Sequence, residues 1–204
     1  MANVDSPFGL RPIRHKSGAP YNGACERYVA AAGYGTNLFI GDPVVITGNS
    51  NSTAVRGYQP GTLSEVEKAT AGDANPISGV IVGFEPVDGF DSPIYGPAST
   101  QRILLVADDP DLIFLIQDDG GGTLDADTVG LNAVLIFTHS GSTVTGRSGV
   151  EMDGGTSDPP AADASNQLII HRLHNAPDNE LADNAKWEVT INTHTKTNGG
   201  LGVA

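Results

Sequence analysis

Cysteine is almost missing from this chain. Cys25 stands alone in 204 residues, so no intrachain disulfide can form, and a reducing compartment is the simplest expectation. No apolar run approaches the roughly 20 residues that a membrane-spanning helix needs. The opening MANVDSPFGLRP lacks the apolar stretch of a secretory signal, so a soluble protein made in the cytosol is expected. Basic residues are scarce: 11 stand against 24 acidic ones, for a net charge of −13. Such a surface repels phosphate backbones, which argues against nucleic acid as a partner.

Catalytic signatures are missing too. There is no G-x-S-x-G elbow for a nucleophilic serine, and no G-x-x-x-x-G-K-[ST] or helix-opening G-x-G-x-x-G to cradle phosphate. Cys25 is followed by Glu26, a neighbour that discourages thiolate formation. His171 and His174 are three apart, which on a strand places them on opposite faces, unable to share an ion. His15, His139 and His194 have no carboxylate or thiolate partner at ligand spacing. The link 118–127, DDGGGTLDAD, offers Asp118, Asp119, Asp125 and Asp127 as oxygen ligands of the kind Ca²⁺ takes. It fits neither the EF-hand spacing nor the GGxGxD repeat, because Thr123 stands where the latter needs glycine. No catalytic residue, metal or cofactor is expected.

What the chain does have is turn chemistry between short apolar runs. With 26 Gly, 13 Pro and 17% charged residues, it suits short strands joined by many turns and argues against a helical bundle. Residues 103–107 (ILLVA) and 112–116 (LIFLI) flank the polar link Asp108-Asp109-Pro110-Asp111, and together they read as a central β-hairpin. Both runs are continuous rather than alternating, so both faces of each strand must be covered. A second sheet, an N-terminal arm or another subunit could supply that cover. Leu104, Val106, Ile113 and Leu115 are accordingly candidate subunit contacts.

Further strands are expected at 38–40, 44–47, 77–84, 134–139 and 168–173. Gly79 and Gly83 within the third suggest a bulge or a close backbone approach. Residues 62–71 (TLSEVEKATA) make the best helix candidate, with Thr62 and Glu65 as a capping box and Gly72 as a stop. Residues 186–194 alternate cleanly: Trp187, Val189 and Ile191 face one way, Glu188, Thr190 and Asn192 the other, as in a half-buried strand. The low-complexity stretch 147–166 reads as a surface loop. The fold class expected is mainly β: one antiparallel β-barrel or β-tulip-like sandwich, with little helix. Residues 1–24 form an extended N-terminal arm, 25–194 the body and 195–204 a frayed tail.

The leader differs from the body in charge. Residues 1–27 hold four basic and two acidic side chains, a net of +2, which leaves −15 on the remainder. Phe8, Leu10 and Ile13 are apolar residues that a solvated tail has no reason to carry, so an arm docked on an acidic neighbour is favoured over a frayed end.

Four blocks in order carry a resemblance: MANVDSPFGLRPIRHKSGAPYNGA, GDPVV, VADDPDLIFLIQDDG and PDNELADNAKWEVTINTH. Together they resemble the head decoration, or cement, proteins of tailed bacteriophages, virion proteins made alongside the major capsid protein. The resemblance spans most of the chain, excluding mainly residues 48–71 and 147–166. It implies a small β-barrel or β-tulip-like body, often a homotrimer, on the outer surface of an icosahedral capsid, with the major capsid protein as partner. It brings no catalytic or cofactor residues. An arm reaching along the shell would correspond to residues 1–24, with Phe8, Leu10, Arg11, Ile13 and Arg14 as the expected capsid contacts. Two rivals are another virion part, such as a tail or head-fibre protein, and a carbohydrate-binding β-module using Trp187 or Tyr58 as a stacking platform. An enzyme is a third and would need carboxylates converging in one pocket.

Overall fold

Strands dominate, and they sort into two systems that share one core. The computed structural model describes residues 3–87, 92–122 and 124–197. The strands are β1 (Arg11–His15), β2 (Glu26–Ala30), β3 (Pro43–Ser50), β4 (Ser64–Lys68), β5 (Gly79–Phe84) and β6 (Arg102–Ala107). They continue with β7 (Leu112–Gln117), β8 (Asn132–Ala133), β9 (Leu135–Ile136), β10 (Glu151–Met152), β11 (Leu168–Leu173) and β12 (Lys186–Ile191). Among the described residues the only helical element is a single 3-10 turn, Ala126–Thr128. The mainly β, largely antiparallel class expected from composition is what the chain adopts.

The first system is a closed ring of strands in the order β2-β4-β3-β5-β6. Its interior is apolar: Tyr28, Leu38, Val44, Val66, Ile81, Leu104 and Val106 pack together. The second is an open sheet in the order β1-β7-β12-β11-β8, with β9 and β10 forming a small ribbon beside it. The largest core cluster joins the two. It takes Ala69, Ile77, Val80 and Ala107 from the ring side, and Leu112, Phe114, Ile116, Trp187 and Val189 from the sheet.

Several expectations are corrected here. The runs 103–107 and 112–116 are strands, but they are not a hairpin. β6 pairs with β2 and β5, whereas β7 pairs with β1 and β12, so Asp108–Asp111 is a crossover between two sheets. The link is tied down by the Tyr28 hydroxyl and the Lys196 ammonium, both on the Asp108 carboxylate at 2.8 and 2.5 Å. The two-faced cover that continuous apolar runs demand is supplied within one chain.

The segment 62–71 holds strand β4, Ser64–Lys68, and no helix. Leu63, Val66 and Ala69 recur every third residue like a helix face, yet each enters a different core cluster as the strand crosses the ring. The Thr62 hydroxyl donates to the Gln59 carbonyl at 2.7 Å, closing a turn instead of capping a helix. The stretch 147–166 is no mere surface loop, because Ser148, Val150, Glu151, Met152 and Asp153 run through the interior. Of the expected strand 134–139 only β9 forms, paired with β10, while β8 just before it pairs with β11. The last strand is buried on both faces, Glu188 and Thr190 included. At the expected bulge, register slips between Ile81 and Gly83. A Cβ at Gly79 would stand 2.7 Å from the Ala107 carbonyl oxygen, so backbone also approaches closely there.

The leader is not a free arm. β1 is an edge strand of the open sheet, with Arg11 opposite Leu115 and His15 opposite Leu112. Leu10 is 1% exposed and sits in the main core. The chain then folds back on β1, with the His15 amide donating to Ala19 and the Tyr21 amide to Ile13. Of the tail, Thr195 and Lys196 are bonded to the body, through Ser78 and Asp108. Residues 198–204 lie outside the described residues.

Candidate functional site

The buried polar groups are built from the open sheet outward, and most are satisfied inside the chain. Asp118, at the end of β7, is a four-donor acceptor. Its Oδ1 receives the amides of Gly120 and Asn184, and its Oδ2 receives the amide of Ala185 and the Trp187 indole N–H, all within 2.9–3.1 Å. Burial pushes its carboxyl upward, against the pull of those hydrogen bonds. A carboxylate so filled has no lone pair left for an ion. No group of three or more His, Cys, Asp or Glu suited to a metal occurs among the described residues.

Glu188 is the electrostatic centre of the sheet's other face. It accepts from Arg14 at 2.5 Å, from Arg172 Nε at 2.9 Å and from His174 Nδ1 at 3.1 Å. Burial alone would raise its carboxyl, but the bonds from Arg172, Arg14 and His174 outweigh it and hold the group at about 2. A register slip between Ile170 and Arg172 turns His171 toward the Thr190 hydroxyl, at 3.0 Å. Thr190 and Glu188 alternate on β12 and share a face, so His171 and His174 point to the same side. The expectation of opposite faces fails because the bulge adds a residue.

Two further polar knots lie under the loop around residue 140. Asp42 is fully buried and accepts from the Ser148 hydroxyl at 2.6 Å, Lys68 Nζ at 2.9 Å and the Phe39 amide at 2.8 Å. Ser148 is itself buried and also receives the Val150 amide, so its oxygen is a structural acceptor rather than an exposed nucleophile. Glu151, 0% exposed, meets His139 Nδ1 at 2.7 Å. Burial raises its carboxyl, and that hydrogen bond in turn raises the imidazole of His139.

The residues expected to touch other chains separate sharply. Leu104, Val106, Ile113 and Leu115 are all buried inside the single chain, so none is available as a subunit contact. Among the expected capsid contacts, Leu10 is core, Arg14 is engaged by Glu188 and Ile13 is half-buried. Arg11 is exposed, and Phe8 is half-buried like Ile13. Trp187 is 1% exposed and Tyr58 packs on the cluster of Val29, Val55, Leu63 and Ile103, so neither offers a platform for a sugar ring.

Phe8 and Arg11 lead to a surface with two guanidinium groups that have no acceptor among the described residues. Arg11 lies over the Phe8 ring, 5.3 Å from its centroid, and beside them opens a cleft of about 280 Å³. Its walls are mostly apolar, from Leu10, Pro12, Tyr21, Ile40, Ile81 and Val82, and Arg147 stands at its rim. A second hollow of about 310 Å³ continues past Val4, Ser6 and Phe8 between the same two arginines. The carboxylate at its end, Asp178, is already taken by Lys186 at 2.9 Å. Neither the Arg11 nor the Arg147 guanidinium makes a hydrogen bond or ion pair among the described residues. Ile40 is tied to the 146–148 backbone on both sides, and Gly146 is packed on Ile94. Arg147, Ile40 and Ile94 were not singled out in the sequence. Val144, an isolated large apolar residue in GSTVTG, was the available signal.

The chain matches no protein-family model, no curated protein and no solved structure.

Proposed function

We propose that this chain is a capsid decoration protein of a tailed-bacteriophage head, a β-tulip-like body that binds the outer shell as a homotrimer and clamps neighbouring capsomers. The observation that carries the reading is how the four resembling blocks meet in space. They lie far apart in sequence, yet three of them supply the adjacent strands β1, β7 and β12. The fourth, GDPVV, receives the leader through the Leu10 amide on the Gly41 carbonyl at 2.9 Å.

Side chains sew the same blocks together. Asn3 Nδ2 donates to the carbonyls of Glu180, Ala182 and Asp183. Gln117 Nε2 donates to Val4 and Asn184, and its Oε1 receives the Ser6 amide. Arg14 and Asp118 complete the stitching to Glu188 and Trp187. Blocks that resemble one family and form one contiguous unit support a common ancestry for that unit.

The proposed role is mechanical and has no catalytic step. The acidic body keeps copies apart from nucleic acid in the cytoplasm where they are made. Several weak grips per oligomer raise the effective concentration of each next grip, which stabilises a shell without chemistry. The test is co-sedimentation of the purified protein with undecorated heads built from the major capsid protein encoded with it. Saturable binding in hundreds of copies per particle is expected. A dozen or fewer copies would indicate a tail or fibre part, and no binding would remove the reading.

A further inference from the structure

The open sheet has two edges of opposite character. At the β1 edge stand Arg11 and Arg147, unpaired, around an apolar cleft. Six large hydrophobic side chains are exposed among the described residues; Ile40 and Val4 line the two hollows, and Ile94 lies against Gly146, next to Arg147. Gathered apolar exposure of this kind marks an interaction surface, whereas scattered single residues do not.

The β8 edge is acidic. The turn that precedes β8 exposes Asp125, Asp127 and Val129. Asn132 of β8 is bridged to Ala161 and donates to the Asp163 carbonyl, which brings the 158–163 segment alongside. Asp73 joins it, since the neighbouring Ala74 amide donates to Ser165. The carboxylates crowd: burial and then the charges of Asp73, Asp153 and Asp163 push Asp158 upward. Across a five-stranded sheet the two edges are about 19 Å apart, too far to neutralise one another within the molecule.

We infer that the arginine-lined cleft at the β1 edge of one copy takes the acidic β8 edge of a second copy, joining chains head to tail. The sister chain is the occupant because its charge complements the cleft: Arg11 and Arg147, which have no acceptor among the described residues, face the crowded carboxylates of Asp73, Asp125, Asp127 and Asp158. A contact between two different surfaces repeats from copy to copy and closes into a ring when the rotation permits. Backbone pairing across the β1 edge is blocked at Pro12, which has no N–H, and where residues 16–21 fold back. Side chains therefore carry the contact. The inference rests on the decoration reading only for the role of the assembly, not for the contact itself.

The experiment is native mass spectrometry and light scattering of the full chain without capsids, at low and high salt. Wild type is expected to be an oligomer that weakens as salt rises. R11E/R147E is expected to be monomeric and still folded, with an unchanged far-UV circular dichroism spectrum, because neither guanidinium makes a hydrogen bond or ion pair among the described residues and only the Arg11–Phe8 contact is lost. D73R/D127R, which spares the Asp125 carboxylate that accepts the amide of residue 127 and the Asp163 carboxylate that accepts the Ser165 amide, is expected to be monomeric too. Mixing the two variants is expected to give a heterodimer, since the intact acidic edge of one meets the intact cleft of the other and the assembly ends there. A monomeric wild type, an R11E/R147E protein that keeps its mass, or a mixture that stays monomeric would each overturn the inference. An oligomer that ignores capsids sinks the decoration reading alone, and a monomer that binds them sinks this contact alone.

Discussion

The ring and the open sheet solve one problem in two ways. Closing β2-β4-β3-β5-β6 on itself leaves no unpaired edge, so its interior can be almost purely apolar. The open sheet keeps two edges and has a set of buried polar groups along its central strands: Gln117, Asp118, Gln167, Glu188 and Thr190. All but Thr190, which bonds His171 on β11, fix a loop or the leader onto the sheet. Closure gives stability without specificity for a partner, whereas openness requires polar stitching and leaves surfaces that others can use.

Deleting residues 2–20 tests that contrast most severely. It strips β1 from β7, removes Leu10 from the core and leaves Glu188 without Arg14, so a loss above about 5 kcal/mol is expected from burial and pairing together. Thermal unfolding followed by circular dichroism measures it. A stable truncated body would mean the leader is dispensable after all.

Next come Phe114→Ala in the sheet and Leu104→Ala in the ring, each costing about 3–4 kcal/mol. Trp187 is the only tryptophan and sits in the sheet, so its fluorescence reports that half alone. Both variants should shift the fluorescence midpoint equally, because the main cluster joins the halves. A ring variant that leaves the fluorescence transition in place would show two independent units.

Asp118→Ala strands three backbone amides and an indole N–H, and about 3 kcal/mol is expected in denaturant titration. Glu188 gives a smaller, pH-dependent effect. Its folded carboxyl is held at about 2, below the ordinary value of 4.5. The stabilisation is therefore complete above 4.5 and is lost as pH falls through about 2. Water reaches Arg172, so about 2 kcal/mol is expected, and Glu188→Gln should flatten that acid limb. Smallest is Arg147→Glu, within about 0.5 kcal/mol in monomer stability, since the side chain is exposed and unpaired.

Composition and apolar runs made the strand class legible, and the continuous runs rightly demanded two covered faces. They could not say what did the covering. Pro110 and three aspartates look the same in a hairpin and in a crossover between sheets. Leu63, Val66 and Ala69 mimic a helix face because three clusters happen to lie along one strand. The polar stitching was invisible because its partners are backbone groups far away: Asp118 meets the amide of Ala185, and Asn3 meets the carbonyl of Asp183. The leader's apolar content did point to docking, but the surface it docks on is its own chain's.

The register of β1 on β7 has a consequence for biogenesis. Arg11 pairs with Leu115, so β1 must idle while some hundred residues follow it off the ribosome. Until then the hydrogen-bonding rim of β7 has no neighbour on that side. Nascent chains crowded on one messenger could trade leaders at that moment, and slow translation past β7 would favour each leader finding its own body.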